Sequence, residues 1–230
     1  RRQLVVTTGT IFYPNNDTFE TLSFWFGTGR VFSFDWTQLT DWIYLNHSGQ
    51  MKGQFGYGIT LFAEDEFYKD IFFEDNYGLE ISFEKSFSKS ISFDIKPKFG
   101  TEIIRVDAPY QARNTGLGLG VELKPSDEFK LNFRMDQSKS IKFENNEVVY
   151  SDLIARARFE YQATTFLNFR LVTQYHRYYN TFDIQPLISY QPGPFSIFYL
   201  GTSRSYDTSF SGWQESYGQI YLKVQKLFSF

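Results

Sequence analysis

The sequence predicts an all-β fold of antiparallel strands, and three observations support this prediction. Apolar and polar residues alternate with a period of two over most of the 230 residues, as in strands whose two faces meet different surroundings. Short polar connections, some containing Pro, separate the alternating stretches. No stretch of useful length has the helical period, and the longest unbroken apolar run has four residues, whereas a membrane-spanning helix needs ~20.

The composition narrows the functional classes. The 23 Lys and Arg residues are balanced by 26 Asp and Glu, so the net charge of −3 leaves no basic surplus for nucleic acid. Cysteine is absent, which excludes thiol catalysis and a disulfide framework. His47 and His176 are the only histidines, too few for a His-rich metal site. Phe, Tyr and Trp make up 20% of the chain, so their placement along the strands can distinguish a membrane barrel from a soluble fold.

The first 75 residues are the hardest part to interpret. Strands are predicted over residues 3–13, 19–26, 31–36 and 54–63, with turns at 14–17 and 27–30. The alternation does not fix a register between residues 42 and 53, where His47 is interpreted as a loop residue.

From residue 77 onward the alternation is clear. A hairpin over 77–98 has its turn at 86–89, and its apolar positions are Tyr77, Leu79, Ile81, Phe83, Ile91, Phe93 and Ile95. Further strands are predicted to begin near residues 116, 129, 155, 167, 182, 195 and 217. Turns at 124–128, 163–165 and 191–194 separate several of them.

The connections alternate in expected length. Those near 86–89, 125–128, 163–165 and 191–194 are short, whereas those near 99–112, 137–151 and 207–216 are longer and polar. Such sorting is typical of transmembrane barrels, because their two ends meet different compartments. At about 19 residues per strand and connection the chain encodes about 12 strands, an even number as in most bacterial single-chain barrels.

Alternation alone leaves two arrangements open. In a soluble barrel or sandwich the apolar face points inward, whereas in an outer-membrane barrel it faces lipid and the polar face lines the lumen. Aromatic residues near strand ends favour the membrane arrangement, because amphipathic rings collect at the membrane–water boundary. These residues are Tyr77, Phe83, Phe129, Tyr161, Tyr190 and Tyr206. Polar-face residues of both signs, such as Lys130, Arg134 and Asp136 or Arg156, Arg158 and Glu160, fit either arrangement.

The C-terminus gives the strongest indication. Ile220, Leu222, Val224, Phe228 and Phe230 share one face of the last strand, broken by Lys226. Such a terminal aromatic residue resembles the signal that the outer-membrane assembly machinery reads. The predicted fold is therefore an antiparallel transmembrane β-barrel of about 12 strands, with short periplasmic turns and longer extracellular loops.

The C-terminal third resembles a known type of domain. The resemblance is carried by residues 155–162, 169–175 and 186–190, by Pro192-Gly193, by residues 198–201 and by Leu222-Lys223-Val224. It is similar to the C-terminal barrel of Bacteroidota-type outer-membrane proteins of unknown function, in which the barrel follows a domain like family 9 carbohydrate-binding modules. The resemblance implies that residues 1–230 form one barrel domain, the C-terminal part of a longer protein. It supplies no catalytic motif.

No catalytic, cofactor-binding or metal-ligating residue is predicted. The sequence contains no nucleophile elbow, zinc-protease, Walker or dinucleotide motif. Gly116, Gly118 and Gly120 alternate within a strand and are interpreted as space-making residues rather than a phosphate loop. His176 lies in a Tyr-rich strand end and is interpreted as a rim residue. The acidic stretch Asp65, Glu66, Asp70, Glu74 and Asp75 is interpreted as a solvated loop rather than a Ca²⁺ site.

Pro186 falls inside a predicted strand. Because Pro lacks a backbone N–H, we expect it either at a bulge or where the missing donor does no harm.

The leading hypothesis is a Gram-negative outer-membrane barrel that anchors a module and serves as a conduit, linked to glycan binding or uptake. The expected partners are outer-membrane lipid and lipopolysaccharide, the barrel assembly machinery through the strand ending at Phe230, and a glycan or a partner protein. The alternatives are an outer-membrane hydrolase with a rim active site and a soluble ligand-binding β-barrel.

Overall fold

The computed structural model describes residues 1–209 and 212–226. Its thirteen strands are β1 (Arg2–Phe12), β2 (Phe19–Phe32), β3 (Gln38–Met51), β4 (Phe55–Tyr68), β5 (Ile71–Ser88), β6 (Ile91–Ile104), β7 (Tyr110–Leu123), β8 (Phe129–Lys142), β9 (Val148–Gln162), β10 (Leu167–His176), β11 (Thr181–Gly193), β12 (Ser196–Asp207) and β13 (Gln214–Lys226). The described residues contain no helix.

The strands form one antiparallel sheet in which each strand is hydrogen-bonded to the next strand along the chain. This up-and-down order is the strand order of meander barrels. The predicted all-β, antiparallel fold class is therefore confirmed. The described strands number thirteen rather than the favoured twelve, because the connections are shorter than the estimate assumed.

The eleven fully described connections have two to six residues. The long connections expected at 99–112 and 137–151 contain only residues 105–109 and 143–147, because the flanking strands extend beyond their alternating stretches. The connection after β12 includes residues 210 and 211, which lie outside the described residues.

Three local predictions are corrected. The turn predicted at 27–30 is wrong, because β2 continues through these residues. The turn predicted at 191–194 is displaced to 194–195, since residues 191–193 belong to β11 and form a register shift against β12. The interval 42–53, including His47, belongs mostly to β3 rather than to a loop.

Pro186 does not lie at a bulge. Leu171 stands opposite it in β10, while the pairing with β12 keeps one register from Ile184 to Leu187 without using Pro186. The bulge expected as one alternative is therefore wrong, and the other alternative, a place where the missing N–H does no harm, stays a prediction.

The chain divides into two compact units. Unit 1 comprises Arg1–Ser86, Asp94–Gly118 and Ser138–Ser151, and unit 2 comprises Phe87–Phe93, Leu119–Gln137 and the chain from Asp152 onward.

In unit 1 the register separates two faces, since directly opposed residues point to the same side of a sheet. One row contains Thr8, Phe26, Leu45, Leu61 and Leu79, and defines the apolar face. The adjacent row contains Gly9, Trp25, Asn46, Thr60 and Glu80, and defines the polar face. Towards the start of β3 the apolar face ends at an ion pair in which Arg30 Nε donates to Asp41 at 2.6 Å.

Unit 2 has the same separation. Its apolar face contains Tyr161, Phe169, Ile188, Leu200 and Leu222 in one row. Its polar face contains Glu160, Arg170, Leu187 and Gly201 in the next row. The predicted alternation of residues 155–162 and 167–171 is therefore the alternation between these two faces.

The described residues contain almost no hydrophobic core. Only Phe73, Ala112, Val172 and Leu187 are buried hydrophobic residues, and the register places Val172 and Leu187 on the polar face of unit 2. The apolar faces are open: Leu61 is 50% exposed and Leu222 is 71% exposed. The few buried polar residues are Asn76, Asn114 and Ser140. Burial in this sheet is therefore inverted relative to a water-soluble β-protein.

Candidate functional site

Exposed apolar residues cover one face of each unit. Four of the six aromatic residues that the sequence analysis placed near strand ends have large exposed areas: Tyr77, Phe83, Tyr161 and Tyr190. Phe129, Tyr161 and Tyr206 do lie at strand ends, but Tyr77 does not, because β5 begins six residues before it. Ile220, Leu222 and Val224 are exposed on β13, whereas Phe228 and Phe230 lie outside the described residues.

The polar face of unit 2 is charged. Lys130 Nζ lies 2.9 Å from Glu122 on the neighbouring strand, so opposite charges pair across strands here. Arg158 Nε donates to Glu160 on its own strand at 3.1 Å. Arg170 stands opposite Glu160 in the register, and its buried Nε has no hydrogen-bond partner.

The polar face of unit 1 is built differently, from aromatic rings that lie over glycines. A Cβ atom added to Gly29 would lie 2.5 Å from Cζ2 of Trp42, and Gly27 stands in the same relation to the Tyr44 ring. Trp25 covers Gly9 in the same way. Each ring occupies the space above the backbone of the neighbouring strand, so only glycine fits beneath it. We call Trp25, Trp42 and Tyr44 the aromatic platform.

The platform is continuous along β3. The Trp42 and Tyr44 rings are within 10° of parallel, with centroids 5.9 Å apart. Because both rings lie over glycines of β2, they are placed side by side on the sheet rather than face to face. Phe62 covers Gly78 in the same manner, but Lys98 Nζ lies 5.5 Å from its ring centroid and covers it.

Neutral polar groups lie beside Trp25 and Tyr44, whereas Glu64 stands opposite Trp42. Asn46 Nδ2 donates to Thr60 Oγ1 at 2.8 Å, and the Ser23 and Ser48 hydroxyls share a hydrogen bond of 2.6 Å. A cavity of about 250 Å³ adjoins these residues and is lined by Asn46, Gly58, Thr60, Glu80, Ile81, Ser82, Lys96, Pro97 and Lys98. Lys98 and Glu80 form an ion pair of 2.8 Å at its edge.

This platform was not predicted from the sequence. The signal was present as two spacings of two residues, Gly27 and Gly29 on one strand and Trp42 and Tyr44 on the next. Reading it required the register between β2 and β3, which alternation did not give.

His176 forms a pair at the rim of unit 2. It is the last residue of β10, and its Nε2 lies 2.7 Å from Asp152 Oδ2. Asp152 Oδ1 also accepts hydrogen bonds from the backbone N–H groups of Leu153 and Tyr178, so the carboxylate fixes the connection after β10. The Tyr179 ring packs edge-on against His176 at 4.6 Å. No serine, threonine or cysteine is hydrogen-bonded to His176 among the described residues.

His47 also differs from the sequence expectation. It lies on the apolar face, stacks on Phe24 at 4.2 Å and accepts a hydrogen bond of 2.8 Å from the Tyr57 hydroxyl. Its Nδ1 donates to the carbonyl of Ser23 at 3.0 Å. Both ring nitrogens are therefore used within the sheet.

The acidic stretch at 65–75 is a hairpin rather than a loop. Only residues 69 and 70 form the turn, and both have positive φ, of 48° and 62°. Asp65 accepts a hydrogen bond from the backbone of Asp75 at 2.9 Å, and Glu66 receives two from Arg105, each of 2.8 Å. Within residues 1–209 and 212–226, no three acidic or His side chains converge in a metal-binding arrangement.

The glycine series in β7 stays inside a strand. Gly116, Gly118 and Gly120 belong to Tyr110–Leu123, and the chain continues into β8. This position agrees with the interpretation as space-making residues.

Among the described residues no helix is long and apolar enough to cross a membrane. No family model and no curated protein matches the chain. Among solved structures it is similar to the CymD monoaromatic hydrocarbon channel, with a TM-score of 0.39 and 11% identity, over 98% of this chain and 87% of that chain. A similarity of this size assigns neither a family nor a ligand.

Proposed function

We propose that the chain is a transmembrane β-barrel of a Gram-negative outer membrane, which anchors the protein and serves as a conduit. The single observation that carries the proposal is the inverted burial. Apolar rows such as Leu45, Leu61 and Leu79 lie on the open face, while the buried polar residues are Asn76, Asn114 and Ser140.

Hydrocarbon explains this arrangement better than water does. A soluble β-sheet covers its apolar face with a second layer, and the four buried hydrophobic residues of the described chain supply none. In the proposed barrel the lipid tails cover the apolar face, and closure of the sheet satisfies the backbone hydrogen bonds of its edge strands. The charged polar face of unit 2 then lines water, which solvates Arg158 and Glu160.

The partners follow from this location. Lipid and lipopolysaccharide contact the apolar faces, and the barrel assembly machinery receives the C-terminal strand. The resemblance of the C-terminal third adds a module that precedes the barrel, for which a glycan or a partner protein is the expected target. We assign no enzymatic activity, because the His176–Asp152 pair has no hydroxyl or thiol hydrogen-bonded to it among the described residues.

Single cysteines test the proposal directly, because the chain contains none. Leu61→Cys places a spin label on the apolar face, and Thr60→Cys is the matched control on the adjacent, polar side of the same strand. After refolding into phospholipid vesicles, collision with oxygen reports lipid exposure and collision with an aqueous nickel complex reports water exposure. We expect high oxygen accessibility at residue 61 and high nickel accessibility at residue 60.

The alternatives give different results. A soluble barrel keeps residue 61 out of contact with lipid, so its oxygen accessibility stays low, and the protein stays monodisperse without detergent; these results would overturn the proposal. A membrane barrel instead requires detergent and migrates differently in gels before and after heating. A hydrolase would lose hydrolytic activity on replacement of His176 by Ala.

A further inference from the structure

We propose that the aromatic platform on the polar face of β2 and β3 binds neutral saccharides. This inference rests on the proposed function, since the polar face lines the conduit, and it names the class of ligand that the conduit accepts. A saccharide ring presents a flat C–H face for stacking and hydroxyl groups around its edge for hydrogen bonds.

The geometry of the rings carries the first part of the argument. Each platform ring rests on a glycine, so one face is turned to the sheet and the other away from it. Trp25 remains 40% exposed, and Trp42 and Tyr44 are half-buried. Two nearly parallel rings side by side, Trp42 and Tyr44, provide a flat surface longer than one sugar ring. Phe62 does not extend it, because Lys98 covers that ring.

The absence of charge carries the second part. The polar-face residues of β1–β3 between the rows of Val5 and Ile11 are Val5, Thr7, Gly9, Ile11, Ser23, Trp25, Gly27, Gly29, Trp42, Tyr44, Asn46 and Ser48. None of them carries a charged side chain, and the charged groups nearest to the platform are Glu64, which stands opposite Trp42, and the Glu80–Lys98 ion pair. Because the rings themselves supply no counter-charge, stacking on them favours neutral ligands.

Hydrogen bonding separates saccharides from planar hydrocarbons. The side-chain amide of Asn46 donates a hydrogen bond to Thr60, which leaves its carbonyl oxygen available to a ligand. Both residues line the adjoining cavity. A hydrocarbon would leave these groups unpaired, at a cost that a hydroxylated ligand avoids. Glu80 and Lys98 at the cavity edge add a charged donor and acceptor for hydroxyl groups.

The test is calorimetric titration of the full chain in lauryldimethylamine oxide micelles, because sugar-based detergents would compete. The ligands are the hexamers of α-1,4-linked and β-1,4-linked glucose, a galacturonate hexamer as the charged counterpart, and naphthalene as the planar hydrocarbon. Tyr44→Leu removes a platform ring, and Tyr77→Leu is the matched control, because Tyr77 lies on the apolar face of unit 1 and is 55% exposed. Tyr44→Phe keeps the ring and tests whether stacking matters.

We expect a neutral hexamer to bind, and Tyr44→Leu to weaken it about tenfold, equivalent to ~1.4 kcal/mol. Tyr44→Phe and Tyr77→Leu should retain binding, and matching circular dichroism spectra establish that all variants fold. Three results would overturn the inference. Neither neutral hexamer binds, or naphthalene or the galacturonate hexamer binds more tightly than the neutral hexamer, or Tyr44→Leu and Tyr77→Leu lose affinity equally. The spin-label experiment is independent of these outcomes, so a lipid-facing residue 61 without saccharide binding would refute this inference alone.

Discussion

The free-energy cost of replacing Leu61 by Arg distinguishes a membrane barrel from a soluble one. Leu61 is the seventh of the fourteen residues of β4, and Leu45 and Leu79 flank it on the apolar face. Its side chain is 50% exposed, so it contacts the surrounding medium. In water, a substitution at such a surface position changes stability by about 0.5 kcal/mol or less. At the midplane of a bilayer, an arginine on the lipid face of a barrel costs ~2–4 kcal/mol.

The measurement is urea-induced unfolding of the chain in phospholipid vesicles, followed by tryptophan fluorescence, with the free energy taken by linear extrapolation. Thr60→Arg is the control, because the neighbouring residue points to the polar face. That variant loses the hydrogen bond from Asn46, so we expect a cost of about 1 kcal/mol. A cost for Leu61→Arg no larger than that of Thr60→Arg would refute the assignment of the apolar face to lipid.

Three further predictions concern single sites. His176→Ala should leave saccharide binding unchanged and should loosen the connection after β10, measured as faster proteolysis there; loss of an ester-hydrolysing activity would instead favour an enzyme. Gly29→Ala should destabilise the protein by about 1–3 kcal/mol through overpacking against Trp42, and Gly29→Ala combined with Trp42→Ala should recover part of that loss in the same unfolding assay. The pKa of Glu147 should lie below its ordinary value, because Lys142 and Asn145 hydrogen-bond its carboxylate; the contribution of this contact to stability is lost as the pH falls through that lowered pKa. An NMR titration in which Lys142→Met leaves this pKa unchanged would contradict the assigned cause.

The strands that sequence alone predicted well share one property. Residues 155–162 and 167–171 alternate regularly over several residues, and each alternating position reports which face it occupies. Leu167 and Asn168, for example, fall on opposite faces as the pattern predicts. The alternation is a local property of a chain with a side-chain period of two, so the sequence determines it without knowledge of the neighbouring strand.

The mispredicted segments depend on a partner strand. Gly27 and Gly29 were interpreted as a turn because glycine is a turn residue, but rings of β3 occupy the space above them. Pro192 and Gly193 likewise belong to β11, where a register shift accommodates them. The acidic residues near position 70 form a hairpin because residues 69 and 70 adopt positive φ, which composition alone did not indicate. In the first two cases an interaction with the neighbouring strand overrides local preference, and in the third the backbone conformation of the turn does.

The candidate site shows the same limit. Sequence indicated that polar and apolar faces exist, but it left open which residues of the polar face act together. The aromatic platform joins β1, β2 and β3 through three ring–glycine pairs, and each pair exists only in one register. The interpretation of His176 as a rim residue came from its isolation among tyrosines, and the sequence did not indicate its contact with Asp152.

The ring–glycine pairs constrain the order in which this sequence can change over generations. If Tyr44 is first exchanged for a small residue, the space above Gly27 opens and a larger residue can follow there. In the reverse order, the intermediate has a methyl group that overlaps an aromatic ring, so the ring or the backbone must shift. Descendants that have lost both members of a pair should therefore have lost the ring first, and reconstructed ancestors with a lone glycine should be more stable than those with a lone added methyl.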